Sequence, residues 1–169
     1  QLAAVAVPER QVLGWFQPRQ PEKFRFGAFP VSNLKCDLGH FYQFPVWHVP
    51  GFKIGLYHHL RETGTADAIS REPTAADEEV LREGLARFFP DANGDCLGLR
   101  ACLFTNTPDE HFVIDTLPGF GEVVVASPCS GHGYKFASVM GEILADLATG
   151  QTPPFDLSLF SIGRFGSAA

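Results

Sequence analysis

The sequence has no run of basic residues. Its 13 Lys and Arg stand singly against 19 Asp and Glu, for a formal net charge of −6. Without clustered cations to displace counterions, a nucleic-acid partner held through its phosphates is not expected. No apolar stretch approaches the roughly 18 residues of a membrane-spanning helix, so no membrane partner is expected either. Four cysteines in 169 residues are too few for a disulfide scaffold. Cys96 and Cys102 do not stand at a zinc-ligand spacing, and no Cys/His pair follows at finger distances, so no metal is expected. There is no internal repeat. At 45% hydrophobic, 12% aromatic and 19% charged, the chain is too apolar to be disordered. Its length suits one domain and is short for two.

The opening Leu2–Pro8 resembles a signal-peptide core in composition, but it is short and lacks a basic flank. With Gln1 rather than Met at its head, it reads as the tail of an element that begins upstream, as in a fragment or processed chain. Nothing at Gly166–Ala169 reads as a targeting signal, and a cytoplasmic location is the expectation.

Short apolar runs punctuated by Pro and Gly predict a mixed or antiparallel sheet: Val12–Phe16, a short strand through Phe24, Phe26 and Phe29, His40–Trp47 and Gly51–His58. Pro45 limits the third to a strand end or edge. Thr74 followed three residues later by Asp77 predicts a capped helix start, and Asp77, Glu78 and Glu79 suit its positive end. Leu81, Leu85, Phe88 and Phe89 give this helix one apolar face, and Pro90 stops it. Strands are expected over Gly98–Thr105 and His111–Asp115, with a buried one over Glu122–Ala126. The last helix is expected from about Tyr134 to Ala148, its broad face formed by Phe136, Val139, Met140, Ile143, Leu144 and Leu147.

Three places can carry chemistry. Ser130-Gly131-His132-Gly133-Tyr134-Lys135 joins a strand to the last helix. Glycines before a helix admit a ligand to the backbone. Lys135 in a first turn opposes the helix dipole, so a bound anion explains it better than local stability does. The plain alternative is a glycine turn with a solvated lysine. Gly131-x-Gly133 is not a dinucleotide fingerprint, because Phe136 holds the third glycine position. Lys53, between Phe52 and Ile54, is either a functional lysine shifted by burial or an edge-strand guard against aggregation. Cys102 beside Arg100 is either a thiolate favoured by the guanidinium or a plain buried cysteine.

Taken in order, Gly51-Phe52-Lys53-Ile54-Gly55, then Cys102-Leu103-Phe104-Thr105 with Thr107-Pro108-Asp109-Glu110-His111-Phe112, then Ser130–Phe136 resemble the C-terminal half of the monomeric sarcosine oxidase and N-methyltryptophan oxidase family. The resemblance runs from about Gln11 to Arg164, and the Cys followed by TPDEHF is its most specific part. It implies an α+β fold: a mixed, largely antiparallel sheet with flanking helices, to about residue 107, as part of a substrate domain. From residue 108 a C-terminal strand and helix would return to an FAD-binding domain. The βαβ unit carrying GxGxxG that opens the family is not in this sequence.

The resemblance implies FAD, joined covalently to Cys102 through a thioether. It implies oxidation of small N-methyl amino acids with O2 as acceptor, H2O2 as product, and a missing N-terminal half or complementing chain as partner. Lys53 matches the lysine that activates oxygen. Lys135 matches the lysine that pairs with the substrate carboxylate. His132 matches a histidine near the flavin, where Gly131 and Gly133 give the backbone close approach. Tyr42 matches an active-site tyrosine near the substrate. His58 matches another active-site histidine, although Leu56 stands where the family often runs shorter, leaving His59 as competitor. From a different class, the chain alone reads as a non-catalytic substrate-binding or interaction module.

Overall fold

A computed structural model describes residues 2–168; Gln1 and Ala169, on which the readings of the two chain ends partly rest, lie outside the described residues. Two compact units divide the chain. One comprises Glu9–Leu103; the other comprises Gln1–Pro8 with Phe104–Ala169. The sequence expectation drew a single division at residues 107 and 108.

In the 9–103 unit, β1 (Val7–Phe16), β2 (Ser32–Cys36), β3 (Gly39–Phe44), β4 (Phe52–Leu56) and β5 (Cys96–Asn106) form one sheet in the order β2-β3-β4-β1-β5. The β1–β4, β2–β3 and β3–β4 pairs are antiparallel. β1 begins at Val7 rather than Val12 because Glu9, Arg10 and Gln11, polar but buried, continue it. β2 (SNLKC) escapes sequence reading because it has no apolar alternation; its pairing with β3 holds it. Where Phe24, Phe26 and Phe29 suggest a strand, the chain makes a single helical turn, α2 (Pro21–Phe24), started by Pro21. Phe24 and Phe29 instead pack on Phe52, with ring centroids 4.9 and 5.1 Å away.

α3 (Ala75–Phe88) covers one face of the sheet. Its capping box is complete: the Thr74 hydroxyl accepts from the Asp77 N–H, and the Asp77 carboxylate accepts from the Thr74 N–H at 2.7 Å. Leu81 and Leu85 are fully buried against Phe16, Phe41, Phe52 and Ile54, worth about 1.5–3 kcal/mol for each such side chain. Gly84 sits mid-helix, where Gly costs about 1 kcal/mol relative to Ala, because a Cβ there would strike the Phe41 ring.

The second unit holds the antiparallel hairpin of β6 (Val113–Leu117) and β7 (Phe120–Ser127), turning at Gly119 with φ +83°. α4 (Ala137–Ala148) packs Met140 and Ile143 against Phe112 and Ile114. A short helix, α1 (Leu2–Val5), belongs to the same unit. Two expectations are corrected here. The β-branched run Glu122–Ala126 is not a buried strand: most of β7 is exposed, Val123 at 39%. The last helix begins at Ala137, and Tyr134–Phe136 forms a separate 3-10 turn before it.

Candidate active-site face and family membership

β4 is a central strand, so Lys53 is not an edge guard. Directly across from it stand Trp15 on β1 and Phe44 on β3, while Tyr42 stands across from Gly55. Facing residues share one side of a sheet, so Lys53, Tyr42, Phe44 and Trp15 lie together on the side away from α3. The Lys53 ammonium sits 4.7 Å from the Phe44 ring centre and 5.7 Å from that of Trp15, a cation–π arrangement. Among the described residues no carboxylate pairs with it. Gly55 is required because a Cβ there would strike the Tyr42 ring.

Cys102 lies on β5, beside β1, as a free half-buried thiol. Burial pushes this thiol above its usual range, with Lys53 and Arg71 pulling the other way. Arg100 is not the cation that acts on it, since that guanidinium turns to the Leu99 carbonyl at 2.8 Å. Burial likewise raises the Tyr42 phenol, helped by Cys102 and Tyr57 nearby. Cys102 is thus within electrostatic reach of Lys53, and Tyr42 within reach of Cys102, from three different strands.

His58 and His59 follow β4 in a turn, not in a strand, with His58 at φ +58°. His58 Nδ1 donates to the Glu9 carboxylate at 2.8 Å. His59 is buried, and its Nε2 donates to Asp77 Oδ1 at 3.0 Å. Asp77 also receives two hydrogen bonds from Arg10, at 2.6 and 2.8 Å. The two histidines therefore differ in kind: His59 ties the sheet end to the α3 cap, while His58 is half-buried on a buried glutamate. Sequence reading missed Glu9 and Arg10. The signal was there, as three consecutive polar residues heading an apolar strand.

In the other unit, the TPDEHF block is a built turn. Thr107 Oγ1 donates to the His111 carbonyl at 2.6 Å, the His111 N–H donates to Asp109, and Arg164 grips Asp109 at 2.7 and 3.0 Å. Arg164 holds the Asp109 carboxyl well below the usual carboxylate range. His132 Nε2 donates to the Glu110 carbonyl at 3.0 Å, leaving Nδ1 as the acceptor of the neutral ring, which tilts over Phe112 at 4.8 Å. Gly131 adopts φ +76° and abuts Phe104; Gly133 abuts the Pro128 carbonyl. Both glycines are thus demanded by this unit's own packing. Lys135 lies in the 3-10 turn, not the first turn of α4. Its exposed ammonium donates to the His132 carbonyl at 3.0 Å and stands 4.8 Å from the Phe136 ring centre.

The family model described as FAD dependent oxidoreductase matches residues 3–147. The chain belongs to this family. Monomeric sarcosine oxidase of Bacillus sp. (strain NS-129) is 41% identical over 159 residues, covering 93% of this chain and 41% of that protein. N-methyl-L-tryptophan oxidase of Salmonella typhi is 41% identical over 166 residues, covering 94% and 42%. The chain thus spans about two fifths of the length of these two relatives. Fructosamine oxidase (Amadoriase II) from Aspergillus fumigatus has the same fold at 20% identity, with a TM-score of 0.71 over 94% of this chain and 40% of that one. Glycine oxidase from Geobacillus kaustophilus shares it at 19% identity and a TM-score of 0.69, over 95% and 40%. Among the described residues no helix is long and apolar enough to cross a membrane.

The residues of the Lys53 face fit a flavin of this family. A free thiol on β5, a cation without a carboxylate partner on β4 and a phenol on β3 all bear on one side of the sheet, which Gly55 keeps clear under the tyrosine ring.

Proposed function

We propose that this chain carries the cysteine, lysine and tyrosine of a flavin-dependent oxidase of secondary, N-methylated amino acids that uses O2 and releases H2O2. The observation that carries this reading is the convergence of Cys102, Lys53 and Tyr42 on one sheet face. It is supported by membership of the FAD-dependent family and by 41% identity to an oxidase named for sarcosine and another named for N-methyl-L-tryptophan. When bound, the flavin accepts a hydride from the carbon next to the amine nitrogen.

The remaining roles fall to this chain's own groups. Cys102 anchors FAD as a thioether. Lys53 holds a positive charge where O2 gains electrons. Tyr42 lines the amine site, and His58, steadied by Glu9, is its histidine. His132 presents Nδ1 as an acceptor, with Gly131 and Gly133 shaping its loop. Lys135 binds the substrate carboxylate after leaving the His132 carbonyl.

Peptide mapping of the flavinylated holoenzyme tests the anchor. Flavin is expected on the peptide containing Cys102 and on none containing Cys36, Cys96 or Cys129. In Cys102→Ser, all flavin should be freed by acid precipitation. Flavin on another cysteine, or retained in Cys102→Ser, overturns the assignment. Peroxide released on adding an N-methyl amino acid tests the reaction itself.

For Lys135, the expected result is that Lys135→Ala weakens a small carboxylate inhibitor by roughly 10- to 150-fold, the equivalent of one charge-assisted hydrogen bond. Titration of the inhibitor into both holoenzymes, followed by flavin absorbance, measures it. Equal dissociation constants mean that Lys135 does no more than meet the His132 carbonyl.

A further inference from the structure

In the second unit Glu110 has φ +60° and Ser130 φ +49°. These are left-handed conformations that residues other than glycine keep only where the surroundings over-determine them. Both serve one contact: Glu110 supplies the carbonyl that accepts from His132 Nε2 at 3.0 Å, and Ser130 stands two residues before the ring. We infer that Arg164, in the 3-10 segment Ile162–Ala168, is a positioning residue for His132: it clamps the 107–111 turn and so fixes the nitrogen on which the imidazole offers a lone pair. The inference rests on the proposed reading of His132 as a residue of the flavin site.

Arg164 holds both residues that flank Glu110. Its Nε and Nη2 donate to the Asp109 carboxylate at 2.7 and 3.0 Å, and Nη2 donates also to the His111 carbonyl at 3.2 Å. The guanidinium is itself fixed, with Nη1 on the Ser161 carbonyl at 3.0 Å and the Phe165 ring centre 4.0 Å away. The side chain is only 15% exposed, so this is not a freely solvated surface pair. Within the turn, the Glu110 N–H donates to the Thr107 carbonyl at 3.1 Å, and the Thr107 N–H donates to Ser130 Oγ at 3.3 Å. A carbonyl oxygen only accepts, so Nε2 must carry a proton to meet it, and the neutral ring then keeps its lone pair on Nδ1. Without the grip on its two neighbours Glu110 relaxes, its carbonyl turns away, and nothing in the turn chooses the tautomer.

The test compares Arg164→Ala and Arg164→Lys in the flavin-loaded holoenzyme. Lysine keeps the charge but not the two-pronged grip, and it carries the test if the alanine variant does not fold. Nitrogen-15 NMR of histidine-labelled protein at about pH 8.5, above the ordinary histidine range, reads the tautomer directly. The His132 signal is the one lost in His132→Gln. Its unprotonated nitrogen should be Nδ1 in wild type and a mixture of Nδ1 and Nε2 in both Arg164 variants. Flavin reduction by an N-methyl amino acid should slow by roughly 10- to 100-fold in Arg164→Ala, the scale of a small misplacement. Adding Arg164→Ala to His132→Gln should cost little more. Ser161→Ala frees the same segment from the Asp115 carboxylate, which the Ser161 hydroxyl meets at 2.7 Å, but does not touch the turn. It should keep the wild-type tautomer and rate.

A lone pair that stays on Nδ1 in both Arg164 variants overturns the inference, as do losses that add to those of His132→Gln. So does the same change in Ser161→Ala, which reduces Arg164 to a mooring of its segment. Failure of the underlying reading looks different: flavin in His132→Gln would then be reduced at the wild-type rate, whatever the tautomer in the Arg164 variants.

Discussion

Lys53→Met in the flavin-loaded holoenzyme is expected to slow reoxidation by O2 by roughly 10²- to 10³-fold, the usual cost of removing one preorganised charge-stabilising group. Reduction by substrate should change far less. The asymmetry follows from where charge appears. In the reductive half a hydride leaves a neutral amine, and a cation at Lys53 has little to stabilise. In the oxidative half an uncharged molecule acquires electrons in an apolar surround, where one fixed positive charge counts for more than it would in water. Methionine keeps the length and apolar bulk of the lysine stem between Trp15 and Phe44, so the sheet face should survive the change. Stopped-flow traces of the two half-reactions decide the matter. Reoxidation at the wild-type rate would remove Lys53 from the oxygen chemistry. An equal loss in both halves would point to a displaced flavin instead.

The outline of this arrangement was legible in the sequence, and its supports were not. The α3 cap was readable because a capping box is local: Thr74 and Asp77 stand three residues apart and need nothing else. The apolar face of α4 was readable for the same reason. Lys53 stood out as a charge inside an apolar run, but its sequence could not separate an edge strand from a central one. That distinction is set by pairing with β1, about forty residues upstream, and only the sheet order resolves it.

Non-local pairing also explains the misses. β2 has no pattern of its own and exists through β3. Glu122–Ala126 reads as a buried strand because β-branched residues favour strands, yet propensity says nothing about which faces are covered. Gly131 and Gly133 looked like space cleared for a ligand; Phe104 and the Pro128 carbonyl already claim that space. Arg100 looked like the partner of Cys102 because residues two apart in a strand share a face, but its guanidinium turns to the Leu99 carbonyl instead. Lys53 and Arg71, distant in sequence, are the cations that act on the thiol.

The largest effect on stability is expected at Asp77. Asp77→Ala should destabilise the protein by about 3–5 kcal/mol, the cost of leaving a buried charge without its partner. The carboxylate is completely buried and accepts from both Arg10 nitrogens, from His59 Nε2 and from the Thr74 N–H. Arg10 has further acceptors in the Ser70 and Glu72 carbonyls, at 3.0 and 2.9 Å, and its other carboxylate neighbour, Glu62 at 3.8 Å, is half exposed. Removing both charges together is expected to cost less than the sum of the single changes. Arg10→Met with Asp77→Leu leaves no stranded charge, so a urea-unfolding cycle on the complete protein should show strong positive coupling. Additive losses would mean that the pair contributes nothing as a pair.

The pH dependence follows from the same cluster. Burial drives the Asp77 carboxyl up, but Arg10 and Thr74 outweigh it and hold the group well below the usual carboxylate range. A lowered folded value means that this stability is complete above about pH 4 and is lost as pH falls further. Burial also lowers the His59 imidazole, against the pull of Asp77. The unfolded chain therefore takes up the His59 proton first, and stability begins to decline below about pH 6.5. Urea midpoints measured from about pH 8 to about pH 2 should fall in two stages, and His59→Gln should remove the upper stage while leaving the lower one. An upper stage that persists in His59→Gln would assign it to another histidine and leave His59 with no part in acid sensitivity.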